Sequence, residues 1–178
     1  MNSGTEDAAR SRRAFVALGS NQGDSVGLLR EAGVRLEGLS RSPLRRSSLW
    51  RSTPVDCPPG SPAFLNAVVA LEPLPGTTPE SLLLELQAIE RALGRRPKRV
   101  LNEPRPLDLD LIAFGEETRQ SEQLTLPHPR AHRRRFVLEP LAEIAPDLIL
   151  PGQRQSVREQ PETLSTPEKL ERVSAAWE

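Results

Sequence analysis

One cysteine in 178 residues, Cys57, rules out an intrachain disulfide framework, and no apolar run is long enough for a signal peptide or a membrane span. The expected setting is a reducing cytoplasm with no membrane partner. Net charge is lacking as well. Lys plus Arg and Asp plus Glu stand at 24 each, so bulk charge gives no pull toward nucleic acid or lipid, and any basic site must be local. There is no Tyr, and the four Phe (Phe15, Phe64, Phe114 and Phe136) are too few for the stacked-aromatic platform of a single-strand RNA-binding sheet. Strand alternation also puts Phe114 on the face of two acids, which would repel a phosphate chain. The phosphate-loop pattern G-x-x-x-x-G-K-[ST] is missing too, so a nucleotide would have to be held by other means.

What is present reads as one domain, taken as monomeric, between polar ends. Residues 1–13 have no apolar periodicity and read as a disordered arm, with the domain proper over 14–152 and a polar extension over 153–178. A short apolar strand at 14–18 leads to a helix capped by Asp24 or Ser25, with Leu29, Ala32, Leu36 and Leu39 as its apolar stripe. "RRSSLWRSTPV" is a second strand that exits at Thr53-Pro54 into a Pro/Gly loop, and "AFLNAVVALE" is a third. Thr78 as cap, Pro79 in the first turn and Gly94 past the end bracket the next helix, whose stripe is Leu82, Leu83, Leu86, Ile89 and Leu93. A basic loop, a strand at "LDLDLIAF", a small hairpin and a third helix in "RRRFVLEPLAEIAP" follow, with Pro140 placed near that helix's start. Thr166-Pro167-Glu168 offers a start for a short terminal helix. The order β-α-β-β-α-β predicts an α+β, ferredoxin-like antiparallel sheet with helices on one face, the other face open, and a C-terminal helical and hairpin addition.

The chemistry concentrates in "RPLDLDLIAF". Alternation sends Leu107, Leu109 and Leu111 to the core and Asp108 and Asp110 to the open face, about 7 Å apart. At an effective dielectric near 20, two bare charges at that spacing repel by roughly 2 kcal/mol, and Asp is a poor strand former. Hard oxygen ligands paired in this way suit magnesium bridging substrate phosphates. Cations to meet those phosphates precede the strand, at Arg95, Arg96, Lys98, Arg99 and Arg105, and follow it, from His128 to Arg135. Asn66 stands on the same strand face as Phe64, Val68 and Ala70. Its amide could bond loop backbone, or read the edge of a flat heterocycle sandwiched by Phe64 and Phe136.

The ordered motifs "ALGSN", "RSTP", "FLNAVV", "IERALGR", "PRPLDLDLI" and "LPHPRAHRRRFVLEPLAEIAP", over about residues 14–151, resemble the 6-hydroxymethyl-7,8-dihydropterin pyrophosphokinase family of folate biosynthesis. The resemblance implies transfer of pyrophosphate from ATP to the hydroxymethyl oxygen of the reduced pterin, releasing AMP, with two magnesium ions on Asp108 and Asp110. It implies that Asn66 and the backbone of Thr53, Pro54 and Val55 read the pterin edge while Phe64 and Phe136 stack on its faces. It places Glu90, Arg95, Thr125, Arg105, His128 and Arg134 on the nucleotide side, and Asn21 in a loop near substrate. Arg95 and Arg105 are the expected catalytic cations, closing over charge that develops in transfer. The loops at 19–25, 53–63 and 94–106 sit where lids belong. In the basic loop, Asn102 and Glu103 stand where the family often has an aromatic before the "PR" pair, and Pro97 and Leu101 replace further Arg. Another metal-dependent phosphotransferase using the same acidic strand is the competing expectation, separated by whether AMP is the product.

Overall fold

The computed structural model describes residues 12–54 and 56–177. Most of the expected N-terminal arm, residues 1–11, therefore lies outside the described residues, as do Val55 and Glu178. The main sheet is antiparallel at every pairing, in the order β5 (Asp108–Phe114), β1 (Ala14–Ser20), β4 (Phe64–Leu71), β3 (Leu49–Ser52), β8 (Leu170–Ser174), with β2 (Arg45–Arg46) also on β4. A separate hairpin joins β6 (Arg119–Gln120) to β7 (Thr125–Leu126). β1 and β4 are central, with partners on both sides, and are built almost wholly of small and apolar residues.

Helix α1 (Ser25–Glu37) is capped by Asp24, which accepts from the Gly27 N–H at 3.1 Å. Helix α2 (Pro79–Ala92) begins with a reciprocal capping box between Thr78 and Ser81. It ends before Gly94, whose φ of +99° turns the chain into the basic loop. Both helices lie on one face, where Leu29, Ala32, Leu36, Leu82, Leu86 and Ile89 pack onto Val16, Leu18, Ala67, Val69, Leu109 and Leu111. Each fully buried leucine contributes about 1.5–3 kcal/mol, so this layer is the main source of stability.

The second face is not open along its length. Helix α3 (Arg135–Ile144) lays Val137, Leu138, Leu141 and Ile144 over Phe15, Ala17, Val68, Ala70, Ile112 and Ala113, and leaves only the opposite end of that face uncovered. Pro140 lies inside this helix rather than near its start. Phe114 also departs from the expected alternation: Phe15 pairs with Ala113 and Val16 with Leu111, so Ile112 is an extra, bulged residue. Ile112 and Ala113 both join the α3-side core, and Phe114 is thrown onto the α1/α2 side, away from the acids.

The second predicted strand is broken at Ser47-Ser48, where the Glu143 carboxylate of α3 accepts from Ser48 Oγ at 2.6 Å and from the Trp50 indole. The C-terminal extension is woven into the sheet. Its helical turn α4 falls at Gln160–Thr163, and Thr166-Pro167-Glu168 starts no helix but leads into β8. Trp177 then inserts into the main core, donating from Nε1 to the Ser47 carbonyl at 2.8 Å beneath the Arg46 guanidinium.

Candidate active site

The uncovered end of the second face is built by strand register. Gly19 of β1 pairs with Asp108 on one side and Asn66 on the other, and Asn66 pairs in turn with Trp50. One row therefore reads Asp108, Gly19, Asn66, with neighbouring strands about 4.7–4.9 Å apart. In the next row Ala17 separates Asp110 from Val68. Small residues on β1 thus make a low floor between two acids and one amide. The shrinking series Phe15, Ala17, Gly19 on a single strand face is a sequence signal for that floor.

Asn66 is 3% exposed and spends its Nδ2 on Ser52 Oγ at 2.8 Å. Its Oδ1 is the end turned toward the floor, 3.6 Å from where a Cβ on Gly19 would stand. Phe64 borders the same point, and the Arg105 guanidinium lies 5.7 Å over its ring. Thr53 has already committed its N–H to the Lys169 carbonyl and its hydroxyl to the Lys169 N–H, both at 3.0 Å, so its carbonyl is the group left to meet a ligand. Pro54 follows, and Val55, expected beside it, lies outside the described residues.

The two acids are held in an electrostatically incomplete setting. Burial, and then the Asp108 charge, push the Asp110 carboxyl up to about 7 against the pull of Arg134, Arg105 and Arg95. Arg95 bonds Asp108 Oδ1 and pairs with Glu90, while Arg105 Nε stands 3.7 Å from Asp108 Oδ2. That Nε is buried and has no hydrogen-bond partner among the described residues, a donor waiting for an oxygen. Guanidinium groups thus sit on a carboxylate whose chemistry suits a hard cation. Among the described residues no cluster of three or more His, Cys, Asp or Glu could cage a metal. Two aspartates completed by phosphate oxygens and water are a donor set that fits magnesium.

Glu90 lies behind the acidic strand rather than over it, accepting from the Leu109 N–H at 3.3 Å. Burial pushes its carboxyl up to about 7, Arg95 opposing and Asp108 adding. His128 follows the cis Leu126–Pro127 bond and is fixed by its N–H to the Ile112 carbonyl at 2.8 Å. Burial and then Arg134 lower its pKa to about 4, so the imidazole is neutral. Its Nδ1 accepts from the Arg130 N–H at 3.2 Å, which leaves Nε2 as the N–H donor. Arg134 covers the Phe136 ring at 5.4 Å and is attracted to Asp110. Thr125 is in β7, paired with Gln120, on the hairpin that packs against β5.

Asn21 joins all three loops. Its Oδ1 accepts from the Arg105 N–H at 2.9 Å, its own N–H donates to the Arg105 carbonyl at 3.2 Å, and its Nδ2 donates to the Pro62 carbonyl at 3.3 Å. Asn102 adds a second tie by donating to the Asp56 carbonyl at 2.8 Å, with both residues in the left-handed region. Below the basic loop a cavity of about 680 Å³ is lined by Arg95, Arg96, Lys98, Arg99 and Arg105, with Glu103 its one acid. The arrangement suits a polyphosphate beside the acids and a flat polar heterocycle beside Asn66. Ser52, Gly19 and the Lys169 contact were not foreseen from the sequence.

Residues 15–146 match the family described as 7,8-dihydro-6-hydroxymethylpterin-pyrophosphokinase. The chain is 43% identical over 140 residues to the 2-amino-4-hydroxy-6-hydroxymethyldihydropteridine pyrophosphokinase of Haemophilus influenzae, covering 78% of this chain and 85% of that one. It is 37% identical to the folic acid synthesis protein fol1 of Pneumocystis carinii, over 83% of this chain but only 19% of that much longer protein. In fold it is similar to the wild-type HPPK-DHPS of Plasmodium falciparum solved with SDX-DHP, with a TM-score of 0.67 at 13% identity, covering 85% of this chain and 44% of that one.

Proposed function

This chain belongs to the 7,8-dihydro-6-hydroxymethylpterin-pyrophosphokinase family and is a pyrophosphokinase of folate biosynthesis; we propose that its transfer of pyrophosphate from ATP to 6-hydroxymethyl-7,8-dihydropterin, with AMP released, takes place on the uncovered end of the sheet. The observation that carries this placement is the single row of Asp108, Gly19 and Asn66. One acid and the amide stand two strands apart across a glycine, about 9–10 Å, which supports a phosphate group on one side and a flat ring on the other. No helix among the described residues is long and apolar enough to cross a membrane, and both substrates are small molecules.

Asp108 and Asp110 are the residues that would hold magnesium, two ions in this proposal, which when bound would neutralise the phosphate oxygens and polarise the attacked phosphorus. Asn66 Oδ1 and the Thr53 carbonyl accept from the pterin's N–H groups, while Phe64 and Phe136 offer ring faces. In the transfer the hydroxymethyl oxygen forms a bond to the β-phosphorus and its proton passes to solvent, as the bond from that phosphorus to the α,β-bridging oxygen breaks and AMP leaves with that oxygen. Arg95 and Arg105, paired with Asp108 in this structure, turn to the phosphate oxygens as charge builds there. The buried Arg105 Nε, near Asp108 but with no hydrogen bond among the described residues, supports that role. His128 donates from Nε2 as a neutral group, and Arg134 adds charge beside the Phe136 ring. Glu90 holds Arg95 and the Leu109 N–H in place. No side-chain general base is assigned, because phosphoryl transfer rests on positioning and charge neutralisation.

The test is AMP release from ATP with magnesium, with and without the hydroxymethyl pterin. Pterin-dependent AMP from the parent chain, lost in folded Asp108→Ala and Asp110→Ala proteins, supports the placement. Near-parental turnover in either variant contradicts it.

A further inference from the structure

The residues after 146 fall outside the family match, yet one stretch of them runs along the pterin side of the site. Helix α3 carries Arg134 and Phe136 at its start, but Arg134 gives its first turn no side-chain cap. A carboxylate from far along the chain lies close to that turn. Glu168 is 6% exposed and lies against the backbone N–H groups of Phe136 and Arg135, with Arg135 and Arg134 as its neighbouring charges. Its Oε1 is buried without a hydrogen-bond partner among the described residues. The next residue, Lys169, accepts from the Thr53 N–H at its carbonyl and donates its own N–H to the Thr53 hydroxyl, both at 3.0 Å. Leu170 then pairs with Ser52, whose hydroxyl takes the Asn66 amide. Three consecutive residues therefore touch α3 beneath Phe136, the Thr53 backbone, and the partner of Asn66. β8 and the buried Trp177 anchor the segment beyond them.

We propose that Glu168, Lys169 and Leu170 form a strap that sets the pterin pocket, with Glu168 a positioning residue that fixes the start of α3 and so orients Phe136. This rests on the reading that Phe136, Thr53 and Asn66 contact the pterin. A carboxylate at a helix N-terminus meets both its free N–H groups and its dipole. Removing it releases the first turn of α3 without opening the core that α3 makes with the sheet. The strap acts through geometry and touches no reacting atom, so it should govern pterin affinity more than the affinity for ATP.

The experiment compares two full-length variants that each remove a helix N-terminal partner. Glu168→Ala strips α3, and Thr78→Ala strips α2, which is remote from the pterin side. Melting temperature, KM for pterin and for ATP, and amide exchange at Phe136 and Thr53 are measured. Expected for Glu168→Ala are a pterin KM raised about tenfold, an ATP KM within about twofold, and faster Phe136 exchange. Glu168→Gln, which keeps an oxygen acceptor for the N–H groups, should recover most of the affinity. Thr78→Ala should lower the melting temperature and leave the pterin KM alone. An unchanged pterin KM in folded Glu168→Ala, or an equal rise in Thr78→Ala, would overturn the strap. A parent that turns over no pterin is a separate result and counts against the proposed function; the strap's own failure is a parent and a Glu168→Ala protein that both use pterin equally well.

Discussion

Asp108 and Asn66 lie on opposite sides of Gly19 in one row of the sheet, two strands apart with only a glycine between them. A Cβ at Gly19 would meet Asn66 Oδ1 at 3.6 Å and Phe64 Cδ1 at 3.9 Å, which are ordinary contacts, so the fold tolerates one. The space above the row is another matter. Gly19→Ala is expected to keep a parental melting temperature within a few degrees and to lose at least about tenfold in kcat/KM for pterin. Thermal unfolding and steady-state kinetics on one preparation check both halves.

Asp110 ties function to a stability cost whose sign can be worked out. Its carboxyl titrates near 7 when folded and near 3.8 when unfolded, so across about pH 4 to 7 the native state keeps a proton that the unfolded chain has released. Stability from this group is present below that window and is lost as pH rises through it. Without metal, Asp110→Asn should therefore gain on the parent as pH rises from about 4 to 7. Magnesium should narrow the gap by stabilising only the parent. Urea melts at pH 4.5 and 7.5, with and without magnesium, decide it.

Arg95 serves both Glu90 and Asp108. Arg95→Ala leaves buried Glu90 and half-buried Asp108 short of a countercharge, so both stability and kcat should fall, the former by about 1–3 kcal/mol. Arg95→Lys should restore more of the stability than of the rate, because an ammonium supplies charge without the planar fork that grips phosphate. Equal recovery of both quantities would contradict the catalytic role.

Asn21 has both ends of a buried amide engaged with loops that begin far from it in the chain. Asn21→Ala is expected to cost about 1–3 kcal/mol and to speed amide exchange at Arg105. Unchanged exchange there would mean that the loops hold together without it.

His128 should behave as a neutral donor. Imidazole nitrogen shifts between pH 5 and 8 are predicted to report one uncharged form, protonated on Nε2, in the protein without nucleotide. A titration midpoint near 6.5 would contradict the buried setting.

Much of this site could be read from alternation alone, since a period of two puts Asp108 with Asp110 and Phe64 with Asn66 whatever the rest of the chain does. Alternation failed at Phe114 because a bulge at Ile112 adds one residue to β5, and neighbouring apolar residues carry no mark of it. β8 escaped notice because an edge strand such as "LERVS" is largely exposed and needs no apolar pattern. The Asn21 contacts span 41 and 84 residues, and the approach of Glu168 to Phe136 is equally non-local, so no window of sequence contains them. Pro140 is interior because α3 already begins at Arg135, five residues before it, rather than just ahead of the proline.

The central claim is that the acidic pair on β5 is where metal and nucleotide meet. Anomalous diffraction from crystals grown with manganese, a nonhydrolysable ATP analogue and the pterin tests it most directly. The account predicts peaks within about 2.0–2.4 Å of carboxylate oxygens of Asp108 and Asp110. Ordered nucleotide with manganese peaks only elsewhere would contradict it.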